Sequence, residues 1–212
     1  MTQLDIFASS TTGYSVHVVE SKQTYDYLRN IHYAHRIPSI SYAYGLFENG
    51  EMVGVVTYGT PASSTLCKGV CGVEWQSHVV ELNRLVLKNN KPNEASRLVA
   101  GSLKLLPSPK IVVSFADTAQ SHVGFVYQAT NFIYTGLSAK FRDPRVRGLE
   151  HQHHATYAHG LTNKQVIEKY GAENVYFVDR SRKHRYVYFV GSKKEKRQMM
   201  DALRYQVLPY PK

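Results

Sequence analysis

Cysteine is nearly missing from this chain: Cys67 and Cys71 are the only two among 212 residues. Two thiols spaced C-x3-C fall short of the ligand set of a structural zinc site, and they predict free, reduced thiols rather than a disulfide framework. Long apolar runs are missing too. Hydrophobic residues make up 43% of the chain but stand in short stretches broken by turn residues. None approaches the roughly 18 apolar residues of a membrane helix, so no membrane partner is expected. The opening MTQLDIFASSTTGYS has no basic stretch followed by an apolar run and a small-residue cleavage site, which predicts a cytoplasmic protein. Negative charge is scarce: 16 Asp and Glu face 26 Lys and Arg, giving net +10 before any of ten histidines protonates. That balance attracts a polyanion through phosphate neutralisation and counterion release, and nucleic acid is the first partner to consider. A merely soluble basic domain, or one that binds RNA or phosphate-rich small molecules, would carry the same balance.

What is present follows an order. Residues 14–20 alternate as a strand, and Ser21 can cap a helix running through Tyr25, Leu28 and Ile31. Two β-rich runs, 42–47 and 52–58, flank Glu48-Asn-Gly-Glu51, whose Asn-Gly pair suits a hairpin turn. A looser Cys/Gly segment precedes a long strand over 77–87. A helix is expected over 94–106, a buried strand over 110–117, a short helix over 123–129 and a strand over 132–136. The resulting β-α-β-β-β-α-β-α-β order predicts an α/β (α+β) fold with a mixed sheet and helices packed on it. Further on, residues 161–170 form a capped helix ending at Gly171, strands are expected over 175–178 and 185–190, and a last helix over 193–203.

Four segments offer chemistry for group transfer to an amine, which needs a held donor, a proton acceptor and stabilised oxygen charge. They are His32-Tyr33 with His35-Arg36, Asn83-Arg84 with Glu81, Ser96-Arg97 at a helix start where amides favour a donor's phosphates, and Asp117 with Tyr127. Each has an ordinary structural reading: Arg84 pairing with Glu81, Ser96 and Asp117 at helix starts, Tyr127 in the core. The histidines at 151, 153, 154 and 159 invite a metal, but H-x-H-H lacks helical ligand spacing and no cysteine completes it. Arg142, Arg145 and Arg147 follow Phe141 and lie near these histidines, where both could add contacts to phosphate. Two basic clusters are interleaved with aromatics, Arg180, Arg182, Lys183 and Arg185 with Tyr186 and Tyr188, and then Lys193 and Lys194, as suits phosphate contacts beside base stacking; a solvated hairpin and helix start would look the same.

Tyr127-Gln-Ala-Thr-Asn-Phe-Ile-Tyr-Thr-Gly136 resembles the helix, turn and strand that close the core of the GNAT acyltransferases. Across nearly the whole chain, Ile31-His-Tyr33, Val80-Glu-Leu-Asn-Arg-Leu-Val86, Asn93-Glu-Ala-Ser-Arg97, Ser114-Phe-Ala-Asp117, His122-Val-Gly-Phe-Val-Tyr-Gln-Ala-Thr-Asn131, Lys183-His-Arg-Tyr-Val-Tyr-Phe189 and Leu208-Pro-Tyr-Pro-Lys212 together resemble the phage Mom DNA-modification family. The resemblance implies a GNAT-like, mostly antiparallel sheet flanked by helices, with a catalytic core over 1–141 and a basic, aromatic-rich extension over 142–212 that packs on it and contacts DNA. It implies transfer of a carbamoylmethyl group to the exocyclic amine of adenine in double-stranded DNA, protecting phage DNA from restriction. By the same resemblance His32, Tyr33, Arg84, Ser96, Asp117 and Tyr127 are functional positions, Ser96 and Arg97 face the donor, and an iron ion is held by His32, Tyr33, Asp117 and Tyr127. The loop over 88–96 lacks the Gly-rich pyrophosphate cradle of acetyl-CoA enzymes, which argues against coenzyme A and leaves another small-molecule or carrier-bound donor. An inert DNA-binding module and a conventional N-acyltransferase are the alternatives from other classes.

Overall fold

The computed structural model describes residues 13–152 and 154–212. Strand β1 (Tyr14–Val18) pairs antiparallel with β2 (Tyr42–Glu48), which turns at Asn49-Gly50 into β3 (Glu51–Gly59). Both turn residues hold positive φ, 50° and 86°, as a tight hairpin requires. After helix α1 (Ser64–Cys71), strand β4 (Val79–Leu87) lies antiparallel to β3. Helix α2 (Glu94–Leu105) crosses over to β5 (Lys110–Asp117), the one parallel neighbour in the main sheet. Helix α3 (Phe125–Ala129) leads to β6 (Ile133–Leu137). Strand β9 (Lys183–Val190) completes a seven-stranded sheet of order β1-β2-β3-β4-β5-β9-β6, and α6 (Lys193–Asp201) follows it. This is the mixed, mostly antiparallel architecture expected from the sequence.

Apolar residues cover both faces. Leu98, Val99 and Leu103 of α2 meet Tyr44, Val56, Tyr58, Leu82 and Val112 on one side. On the other, Val70 and Cys71 of α1 and Met199 of α6 meet Val79, Ile111, Val113 and Val187. The thiols are free, as expected, and burial pushes the Cys71 thiol up to about 11, which makes it unreactive.

Between β6 and β9 the chain leaves the main sheet. Strands β7 (Arg142–Val146) and β8 (Val175–Asp179) form a separate two-stranded ribbon. Helices α4 (His154–Ala158) and α5 (Asn163–Tyr170) connect them and share a small core of Val146, Tyr157 and Val166. Thr162 caps α5, its hydroxyl accepting from Gln165 N while its own backbone N–H donates to the Gln165 side-chain oxygen.

Two local expectations differ from the observed elements. The helix expected from Ser21 is instead a 3-10 turn (Ser21–Thr24) capped by Glu20, followed by a π turn (Tyr27–Ile31). The Cys/Gly segment is helical, with Ser63 accepting from Leu66 N at its start. Residues 142–146 form a strand despite Pro144, which a two-stranded edge tolerates because one flank needs no ladder donor.

Candidate active site

The parallel ladder between β4 and β5 is short. It runs from Val79 opposite Ile111 to Leu82 opposite Ser114 and then stops, while β4 continues to Leu87 and β5 to Asp117. At the last shared rung the Ser114 hydroxyl donates to the Leu82 carbonyl at 3.0 Å. Beyond it the strands diverge, and a cleft of about 570 Å³ opens, walled by β4, the end of β5, the start of α3 and the turn at His32.

Two irregularities aim side chains into this cleft. In β4, Thr57 pairs with Arg84 and Tyr58 with Leu82, so Asn83 is an extra residue in the ladder. The bulge is pinned by its own amide: Thr57 Oγ1 donates to Asn83 Oδ1 at 2.6 Å, and Asn83 Nδ2 donates to the Ser39 carbonyl at 2.9 Å. An extra residue reverses the side-chain alternation, so Glu81 and Arg84, three apart, share a face. The second irregularity is the π turn, closed by His32 N donating to the Tyr27 carbonyl at 2.9 Å. It delivers His32 and Tyr33 to the cleft with rings stacked at 4.4 Å.

The electrostatics follow from partial burial. Burial, helped by Arg84 and His35, lowers His32 to about 4, so the ring is neutral at neutral pH. Ala34 N–H donates to His32 Nδ1 at 3.0 Å, which leaves the ring proton on Nε2 as a donor. Burial raises the Glu81 carboxyl above its usual range, against the pull of Lys183 and Arg84. Arg84 donates through Nη1 to the Asn83 carbonyl at 2.6 Å, while its buried Nε has no protein partner. Burial also lowers the Arg84 guanidinium from its ordinary value.

The α3 wall is aromatic. Gly124 caps α3 at φ 83°, where a Cβ would strike the Tyr186 ring, so both the conformation and the close approach call for glycine. Phe125 next to it is 72% exposed and Tyr33 across the cleft is 61% exposed, two large rings offered to whatever enters. Tyr127 is buried against Phe132 and Tyr186, and burial pushes its phenol up to about 12.

Of the residues singled out from the sequence, His32, Tyr33, Glu81, Asn83, Arg84, Tyr127 and Lys183 line this cleft. Ser96, Arg97 and Asp117 do not. Ser96 Oγ donates back to the Asn93 carbonyl at 3.1 Å, and Arg97 lies over the Tyr14 ring. Asp117 caps the 3-10 turn after β5 by accepting from Ala119 N at 2.9 Å, and its other oxygen is 3.6 Å from Lys183 Nζ. Asn90, His122 and Phe125 line the cleft without having been picked out, and Glu81 gains weight from its burial. None of these had a spacing signal; only the diverging strands gather them.

The residues as they stand do not fit the iron ion that the resemblance implies. Three of its four ligands reach the cleft, but Asp117 has both oxygens engaged elsewhere and Tyr127 is held protonated. Among the described residues no group of three or more His, Cys, Asp or Glu stands together. His153 of the histidine-rich stretch lies outside the described residues, as does the side chain of His154.

The basic residues divide by place. Arg142, Arg145, Arg147 and Arg180 belong to the ribbon. Arg182 Nε donates to the Ser138 carbonyl at 2.7 Å where the ribbon joins the sheet. Arg185 is structural, lying 3.3 Å over the Tyr205 ring and donating to Thr135. Lys193 and Lys194 follow the far end of β9, the full strand away from Lys183 and the cleft.

The chain is 28% identical over 195 residues to methylcarbamoylase mom of Escherichia phage Mu, a match spanning 85% of this chain and 76% of that one. Among solved structures it is similar to a GNAT-family acetyltransferase of Bacillus cereus, at 13% identity over 84% of this chain and 99% of that one, with a TM-score of 0.43. It is also similar to the ribosomal-protein-S5-alanine acetyltransferase of Vibrio fischeri, at 10% identity, 87% and 97% coverage and a TM-score of 0.47. No helix among the described residues is long and apolar enough to cross a membrane. The Mom protein family pattern matches residues 13–212, and the chain belongs to that family.

Proposed function

We propose that this protein is a DNA-modifying transferase that places a carbamoylmethyl group on the exocyclic amine of adenine in double-stranded DNA. The observation that carries the reading is the family match from residue 13 to residue 212, together with 28% identity to a methylcarbamoylase. The cleft offers the groups such a reaction needs. An adenine turned out of the duplex would stack between Tyr33 and Phe125, both exposed at the mouth.

The new bond joins the amine nitrogen to a methylene carbon, so one proton leaves the nitrogen and the donor's leaving group departs with its electron pair. An aniline-like amine is a weak nucleophile and needs a base at the moment of attack. Glu81, a half-buried carboxylate raised above its usual range, takes that proton. Arg84 Nε and His32 Nε2–H, one unpartnered and the other left free to donate, steady oxygen charge on the donor. Lys183, 3.6 Å from Asp117, keeps the cleft cationic.

The test is mass spectrometry of nucleosides from plasmid DNA in cells making the native chain, Arg84→Ala or Asp117→Ala. A deoxyadenosine adduct with the native chain, lost in Arg84→Ala, is the expected outcome. Asp117→Ala is expected to weaken the adduct through Lys183. No adduct despite soluble native protein overturns the reaction.

A further inference from the structure

We infer that the β7–β8 ribbon is a docking arm for duplex DNA flanking the target base, separate from the cleft that performs the chemistry. The inference rests on the reading of this protein as a DNA-modifying enzyme and adds where the duplex lies.

Topology places the ribbon at the cleft. It is inserted between β6 and β9, which pair with each other, so both of its stems rise from one point on the sheet. That point is the cleft end of β9: Ser138 N donates to the Lys183 carbonyl at 2.8 Å, and Lys183 lines the cleft. At the root of the ribbon Arg180 N donates to the Phe141 carbonyl, also at 2.8 Å.

The two faces of the ribbon differ. Pro144 and Val146, with Val175 opposite Val146, face the helices: Tyr157 donates to the Pro144 carbonyl, and Val146 packs with Tyr157 and Val166. Strand alternation turns Asp143 and Arg145 to the other face, beside Val178 and Tyr176, and Arg147 and Arg180 continue that face at either end. Arg147, Phe141, Val178 and Arg180 are exposed on it, while Arg145 is half-buried, with Nη1 donating to the Gln152 carbonyl at 3.4 Å. Phe141 and Val178 are 57% and 43% exposed there. Arg147 lies over the Tyr176 ring and Arg180 over the Phe141 ring, 5.6 and 5.8 Å from their centroids, which sets each guanidinium beside an aromatic ring. Asp143, the acid on this face, is taken up by Arg180 through Nε at 2.9 Å.

A two-stranded ribbon with a basic, aromatic open face has the width that the major groove admits, and the adenine amine is displayed in that groove. Positive charge on the exposed ends of this face complements phosphate; the interleaved rings and Val178 suit base edges and methyl groups.

The experiment measures binding of the full chain to a labelled 20-base-pair duplex across a salt series, for the native protein, Arg145→Gln/Arg147→Gln and Arg145→Lys/Arg147→Lys. Nucleoside adducts are measured in parallel, with melting curves as fold controls. The Gln pair should bind about tenfold more weakly and reduce the slope of log affinity against log salt by roughly 2, while the Lys pair binds like the native chain. Native-like binding and slope in the Gln pair overturn the arm, even where the native chain forms the adduct. Adduct missing from the native chain, with the binding loss still present, overturns the chemistry and leaves the arm standing. Weak binding by both variants with native melting curves also overturns it, because phosphate contact tolerates lysine.

Discussion

At the scale of single residues, two titratable groups in the cleft pull stability in opposite directions. His32 is lowered to about 4 in the fold from 6.5. Between those values the unfolded chain holds the extra proton, so the contribution of His32 is fully present above about pH 6.5 and is lost as pH falls toward 4. His32→Gln should flatten that part of the melting-temperature profile; an unchanged acid slope would show that the ring is not held neutral. Glu81 has the opposite sign. Its folded pKa is raised, so its contribution is full below the unfolded value of 4.5 and is lost as pH rises through the folded value. Glu81→Gln should therefore melt at or above the native temperature at pH 8, while adduct formation drops by at least about a hundredfold if the carboxylate is the base. A variant that loses the adduct and melts lower would mark Glu81 as structural.

At the scale of elements, the site depends on two departures from regular geometry, and this decides what a sequence can show. The alternation of β4 and the apolar spacing of the first helical segment are both visible in the residues. Neither periodicity reveals the inserted Asn83 or the π turn before His32, because each depends on partners distant in sequence: Thr57 and Ser39 for the bulge, packing of Tyr27 and Leu28 against Val55 and Val86 for the turn. The candidate positions named from the sequence came from chemistry-bearing segments and from family resemblance, and residues such as Phe125 and Asn90 were not named as candidates because only the tertiary fold makes them neighbours. Helix α1 was hidden for a related reason. Its Gly69 and cysteines give weak helical preference, and burial of Val70 and Cys71 against Met199 overrides it. Asn83→Ala tests the bulge. Removing both amide contacts strands the Thr57 hydroxyl and the Ser39 carbonyl, with an expected cost of roughly 1–3 kcal/mol and loss of the adduct as Arg84 shifts. Native stability and activity in this variant would show that the ladder holds the bulge without its amide.

At the scale of the whole molecule, the main sheet and the ribbon have separate cores, Tyr44 to Tyr186 in one and Val146 with Tyr157 and Val166 in the other. Replacing residues 140–180 with a short Asn-Gly turn should leave one cooperative melting transition, because β6 and β9 remain adjacent and antiparallel. Duplex affinity should fall in the same protein. Failure of the shortened chain to fold would mean that the two cores support each other.

The position of β9 also bears on how the protein is made. It lies between β5 and β6, yet it is synthesised after both. A nascent chain that has emerged as far as residue 170 carries two strands whose shared neighbour does not yet exist, each with a row of unpaired amides and carbonyls turned toward the gap. Until residues 183–190 leave the ribosome, that gap accepts any extended segment at hand, including one from a neighbouring nascent chain. The final strand is thus also the step at which correct closure competes with aggregation.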